Sequence, residues 1–179
     1  MDFMFKITDK DVGETLYEEK KENLRTAVRT IMINEKNEVA VLYMKNKGVY
    51  KLIGGGLESG ETLEETLKRE VLEESGFEFE ITGEIGYCEE YRTRDEYFQT
   101  SYIYETKATK DTKQLNLTDR EKKYGAELKW FPIKDILQIM ESNYKNIDFE
   151  KIKDPLIVKL ISKRDYLIVK YYIEKLEEK

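Results

Sequence analysis

A glycine triplet, Gly54-Gly55-Gly56, stands six residues before a helix that declares both of its own ends. The segment reads TLEETLKREVLEESG, and Thr62 with Glu65 three positions later forms a capping box, each side chain satisfying an amide left orphaned at the helix start. Gly76 stands where a left-handed residue closes such a helix, so about 14 residues are delimited by local chemistry alone. At roughly 100° per residue, Glu70, Glu73 and Glu74 gather on one side. They run beside the apolar stripe of Leu63, Leu67 and Val71 rather than opposite it. Three like charges this close destabilise an isolated helix unless a cation is bound, and all-oxygen ligation suits Mg²⁺ or Mn²⁺ rather than zinc. A solvated acidic face is the competing reading of the glutamates, and a plain turn that of the glycines.

The combination is more specific than its parts. Gly55, five residues, Glu61, seven residues, Arg69-Glu70-Val71, one residue, Glu73-Glu74, one residue and Gly76-Phe77 together resemble the Nudix box at every defining position. One departure is Ile53, where many members of that family carry proline before the glycines. The resemblance implies an α+β fold, an α/β/α sandwich around a mixed β-sheet, here with a C-terminal helical extension. It implies a catalytic pair in which Glu70 acts as general base and Arg69 orients it through a charge-assisted hydrogen bond. Metal ligands would be Glu70, Glu73 and Glu74 with the Gly54 carbonyl, holding Mg²⁺ or Mn²⁺, while Glu61 steadies the loop. The implied reaction is attack by activated water on a phosphoanhydride in a nucleoside diphosphate linked to another moiety, with a small nucleotide-like molecule as substrate.

The rest of the chain is read around this centre. Residues 1–23 are taken as an N-terminal strand and connection, 24–142 as the Nudix-like domain, and 143–179 as a helical extension packed on it. LRTAVRTIMI and EVAVLYMK, separated by the turn-like residues 34–37, form an expected hairpin. Strands are expected at VYKLI, 77–91 and 97–107, then a long polar loop over 108–125. AELKWFPI is a last strand ended by Pro132, IKDILQIMES an amphipathic helix, and the apolar spacing beyond Asp148 one or two more helices. A further acid is sought outside the box, with Glu127 first and Glu121 and Glu96 behind it. Tyr91, Arg92 and Tyr97 are candidate substrate-binding residues, by base stacking and phosphate contact, against a plainer reading of strand packing. Phe98, Trp130 and Arg94 stand in the same position, and Cys88 reads as a small buried hydrophobe.

Composition narrows the function classes. The chain has no histidine, which removes Ser-His and Cys-His nucleophilic pairs and leaves acid-base work to carboxylates, lysine, tyrosine or metal-bound water. Its single cysteine excludes an intrachain disulfide and points to a reducing, cytoplasmic setting. A net charge of -6 without a long basic block argues against a nucleic-acid polymer as partner, and the lack of any run near eighteen apolar residues argues against a membrane. The helices after Asp135 leave a homodimer open, and with it a nucleotide-sensing module of the same fold that binds without turnover. Isomerase chemistry on a prenyl diphosphate would want a cysteine and a histidine in the site, and histidine is missing.

Overall fold

β-branched and aromatic residues dominate the segments that pair into one mixed sheet, and the glycine triplet decides how that sheet opens. The computed structural model describes residues 1–20 and 22–178; Lys21 and Lys179, which fall in the expected N-terminal connection and C-terminal extension, lie outside the described residues. The strands are β1 (Phe3–Thr8), β2 (Asn23–Ile33), β3 (Glu38–Met44), β4 (Val49–Lys51), β5 (Phe77–Arg92), β6 (Tyr97–Asp111) and β7 (Ala126–Pro132). They order as β1-β5-β6-β2-β3-β4, with β7 paired to β3. β1 runs parallel to β5 and β2 parallel to β6, and the remaining pairs are antiparallel.

β2 and β3 form less of a hairpin than their sequences suggest, since they meet only at Ile33 and Val39. Upstream of that point the free edge of β2 is taken by residues 53–56, which bridge it at Thr30–Ile53 and Ala27–Gly56. The amide of Val28 donates to the Gly55 carbonyl and that of Thr30 to Ile53, so the backbone polar groups of the splayed edge are satisfied by the glycine ribbon.

Four helices cover the sheet: α1 (Leu63–Ser75), α2 (Asp119–Lys123), α3 (Ile133–Lys145) and α4 (Pro155–Glu177). α1 buries Leu67 and Val71 against Val28, Met32, Ala40 and Ile53 on one face. On the other, Ile136 and Met140 of α3 and Ile168, Val169 and Tyr172 of α4 close over Ile31, Val41, Cys88 and Ile103. Alternate residues of β2 thus feed two cores, as period-2 geometry requires of a central strand in an α/β/α sandwich.

One expectation needs correction and another is narrowed. The polar stretch 108–125 is not all loop: β6 continues to Asp111, paired with Phe77, and Thr118 caps the short α2 through a box with Glu121. The C-terminal apolar spacing belongs to a single helix of 23 residues, α4, started by Pro155 where a missing amide costs nothing.

Candidate active site

Three consecutive glycines are held against three different neighbours. A Cβ on Gly54, whose φ is 133°, would lie 2.2 Å from the Val28 carbonyl oxygen; on Gly55 it would lie 2.1 Å from Glu70 Oε1; on Gly56, 2.4 Å from Arg25 Nη2. The ribbon therefore lies directly on β2 and has a carboxylate at its middle residue and a guanidinium at its last.

α1 presents the acids to this ribbon. Its box is formed as expected, with the Glu65 amide donating to Thr62 Oγ1 at 3.2 Å and the Thr62 amide to Glu65 Oε2 at 2.8 Å, and Gly76 closes it at φ 73°. Arg69 holds the loop and the helix together. Its Nε and Nη2 donate to the two oxygens of Glu61 at 2.7 and 2.9 Å, Nη2 also reaches the Gly56 carbonyl at 3.0 Å, and Nη1 donates to Glu70 Oε1 at 2.7 Å. The hydrogen bonds from Arg69 hold the Glu61 carboxyl down to about 2, against an opposing effect of desolvation. Glu73 is within 3.6 Å of the same guanidinium, yet burial raises its pKa, with Glu70 and Glu121 adding repulsion.

Glu74 is the deepest acid. It accepts the Gly54 amide on Oε2 at 2.8 Å and Lys51 Nζ on Oε1 at 2.6 Å, and burial pushes its pKa up to about 7 in spite of the lysine. Glu121, in the middle of α2, shares Lys51 at 3.4 Å and hydrogen-bonds with Glu74. Burial would raise Glu121 as well, but its hydrogen bond with Glu74 and the charge of Lys51 outweigh it and hold its pKa down.

Glu70, Glu74 and Glu121 line one cavity of about 350 Å³, together with Gly54, Gly55 and Gly56. Arg25, Arg29, Arg92, Arg120, Arg164, Lys47 and Lys51 also line it, so in a chain of net charge -6 this hollow is predominantly cationic. Arg92 and Tyr97 are brought together here, the guanidinium 3.6 Å from the ring centroid. Tyr91 is not: it is fully buried and packs edge-on against Phe98, because successive residues of β5 point to opposite faces. Glu127, on β7, is not in the cavity either and pairs with Lys129 and Lys45, whereas Glu121, the second candidate, lines it. Glu96, the other reserve, pairs with Lys20.

Arg29, Lys51, Glu90 and Arg164 are site residues that sequence reasoning missed. One signal for Arg29 was present, since Arg25 and Arg29 share parity within one strand, which puts both on one face. Lys51, Glu90 and Arg164 are brought together only by the fold.

Among the described residues, no three acidic side chains converge as a finished cation cage, and Lys51 and Arg69 lie on the carboxylates instead. The donor chemistry itself fits a hard divalent cation, because Glu70, Glu73, Glu74 and Glu121 offer only oxygens beside a ribbon where no Cβ intrudes.

Comparison with known proteins gives concordant results. Residues 23–151 match the family model described as NUDIX domain. A Bacillus subtilis (strain 168) protein provisionally named an 8-oxo-dGTP diphosphatase is 32% identical over 66 residues, covering 37% of this chain and 44% of that one. The match therefore spans less than half of that relative's length. Among solved structures, a NUDIX hydrolase from Nitrosomonas europaea superposes with a TM-score of 0.56 at 16% identity, over 86% of this chain and 90% of its own. A MutT protein from Methanosarcina mazei Go1 does so with a TM-score of 0.57 at 20% identity, over 89% and 99%. At these identities the superpositions show a shared fold.

Proposed function

The chain belongs to the NUDIX family, and from that premise we propose that it is a pyrophosphohydrolase cleaving a phosphoanhydride bond in a nucleoside diphosphate linked to another moiety. The observation that carries this reading is the placement of Glu70, pressed on Gly55 and oriented by Arg69, at the wall of a cationic hollow. Glu70, Glu73 and Glu74 would hold a divalent cation, Mg²⁺ or Mn²⁺, with Glu121 as the further acid and the Gly54 carbonyl as a further ligand. Such an ion supplies charge neutralisation at the diphosphate and a more acidic water.

The chain's own residues account for the rest. Arg69 fixes the Glu70 carboxylate through one Nη1 hydrogen bond, leaving its second oxygen to accept a proton from the attacking water. Lys51 balances charge on Glu74 and Glu121. Arg92 and Tyr97 border the hollow where a nucleotide would lie. The reading extends to the reducing cytoplasm as compartment, consistent with a free, buried Cys88.

A second reading, nucleotide binding without turnover, is favoured by one observation: Lys51 and Arg69 already neutralise the acids. A panel of nucleoside triphosphates, nucleotide sugars and 8-oxo-dGTP, run with Mg²⁺ or Mn²⁺ beside Glu73→Gln, separates the two. Turnover that is lost in the variant supports the hydrolase; saturable binding with no product from any member supports the sensor.

A further inference from the structure

The wall of the hollow facing α4 carries a charge with which, among the described residues, no carboxylate pairs. Pairing places residues of three strands in rows across that face. Arg25 of β2 stands beside Gln99 of β6, which stands beside Glu90 of β5; one row outward are Asn23, Tyr97 and Arg92. Deeper along the same strands the face is core, with Ile31, Ile103 and Cys88 under α4. Of the basic groups here, Arg164 is answered by Glu90 at 2.9 Å and Asp165 at 2.8 Å, and Arg92 stands 3.3 Å from the same Glu90.

Arg29 has no such answer. It is 8% exposed, its Nη1 donates to the Val28 carbonyl at 2.8 Å, and its Nε has no hydrogen-bond partner. Among the described residues, no carboxylate pairs with it. Burial lowers its pKa and repulsion from Arg164 and Arg25 acts in the same direction, while Asp165 and Glu74 act in the opposite one without pairing with it. A buried, unpaired guanidinium is among the most costly groups a fold can hold, and it lines a cavity large enough for a ligand.

We propose that Arg29, with Arg25 and Arg92, forms a subsite for a phosphate group of the substrate, set apart from the carboxylates by the glycine ribbon and closed on its far side by α4. Guanidiniums entering from β2 and β5 approach from different directions, which suits a tetrahedral oxyanion with several acceptor oxygens better than a planar carboxylate. The ribbon separates the two charges: Gly55 lies on Glu70 and Gly56 on Arg25. Ile157, Ile161 and Arg164 of α4, a helix that lies beyond the segment matched by the family model, complete the wall. The inference deepens the hydrolase reading, since the phosphate is taken to belong to its substrate, but anion binding itself needs no turnover.

The test is calorimetric titration with inorganic pyrophosphate in EDTA, on wild type, Glu70→Gln, Arg29→Met and Arg29→Lys, with the melting temperature of each free protein. Wild type is expected to bind pyrophosphate, and Glu70→Gln, which removes a negative charge from the same hollow, to bind it at least as tightly. Arg29→Met is expected to bind at least tenfold more weakly while melting at or above wild type, because an uncompensated buried charge has been removed. Arg29→Lys keeps the charge without the fork and is expected to lose affinity three- to tenfold; it decides the matter if Arg29→Met does not fold. Unchanged affinity in both Arg29 variants, or a lowered melting temperature in Arg29→Met with affinity retained, would overturn the subsite. If wild type turns over no nucleotide yet binds pyrophosphate through Arg29, the hydrolase reading fails and the subsite stands.

Discussion

Each glycine of the ribbon answers to a neighbour of different stiffness, so three alanine substitutions separate folding from chemistry. Gly54→Ala meets backbone at 2.2 Å with φ at 133°, and is expected to lose more than about 1 kcal/mol of stability in a denaturant melt. Gly55→Ala meets the carboxylate of Glu70, whose displacement should lower turnover about 100-fold with little change in melting. Gly56→Ala meets the end of the Arg25 side chain, which can swing away. Equal losses of stability at Gly54 and Gly55 would contradict this division. Arg69 gives a pH prediction. The folded pKa of Glu61, about 2, lies below its ordinary value near 4.5, so ionised Glu61 contributes stability above that ordinary value, and the contribution is lost as pH falls through about 2. The clamp should persist at pH 3; an NMR titration of the Glu61 carboxyl with a midpoint near 4.5 would count against it. At this scale the box acids, Arg69 and the helix caps were legible, because their spacing is local. Arg29 was half legible: parity sets it with Arg25 on one face, but that its buried Nε meets no hydrogen-bond partner is decided by the fold.

Elements decide which distant residues reach the site. The hairpin of β2 and β3 reads clearly from alternation, but its splaying depends on residues 53–56 occupying the β2 edge, a competition between two pairings that neither strand records. The stretch between β6 and β7 looked like loop because it is polar, yet Thr118 and Glu121 make a second capping box there and Glu121 turns inward to Glu74 and Lys51. Glu127 was preferred for its place on a strand near Trp130, but strand alternation points it toward Lys129 and solvent. Glu121→Gln is therefore expected to lower turnover about tenfold or more, and Glu127→Gln to leave it within about twofold, in steady-state assays at saturating cation. The reverse order would show that α2 does not close the site.

The whole molecule sets the pocket between two cores. α1 holds the acids over one face of the sheet while α4 seals the other, and buried polar links tie α4 to the site: the Leu52 amide donates to Asp165 at 2.8 Å, just before the glycines, and Arg164 reaches Glu90. Breaking such a buried pair leaves a charge unanswered, so these links also specify how α4 seats. The sandwich was legible from strand and helix patterns; the seating of α4 was not, because Arg164 and Asp165 look like surface charges until tertiary structure buries them. In the proposed reaction water, activated beside Glu70, attacks phosphorus. Hydrolysis of the best substrate in H₂¹⁸O, followed by mass spectrometry of both products, tests this most directly: one ¹⁸O should appear in a single phosphate product, with release slowed about 100-fold or more in Glu70→Gln. Products free of label, or a Glu70→Gln enzyme that turns over like wild type, would contradict it.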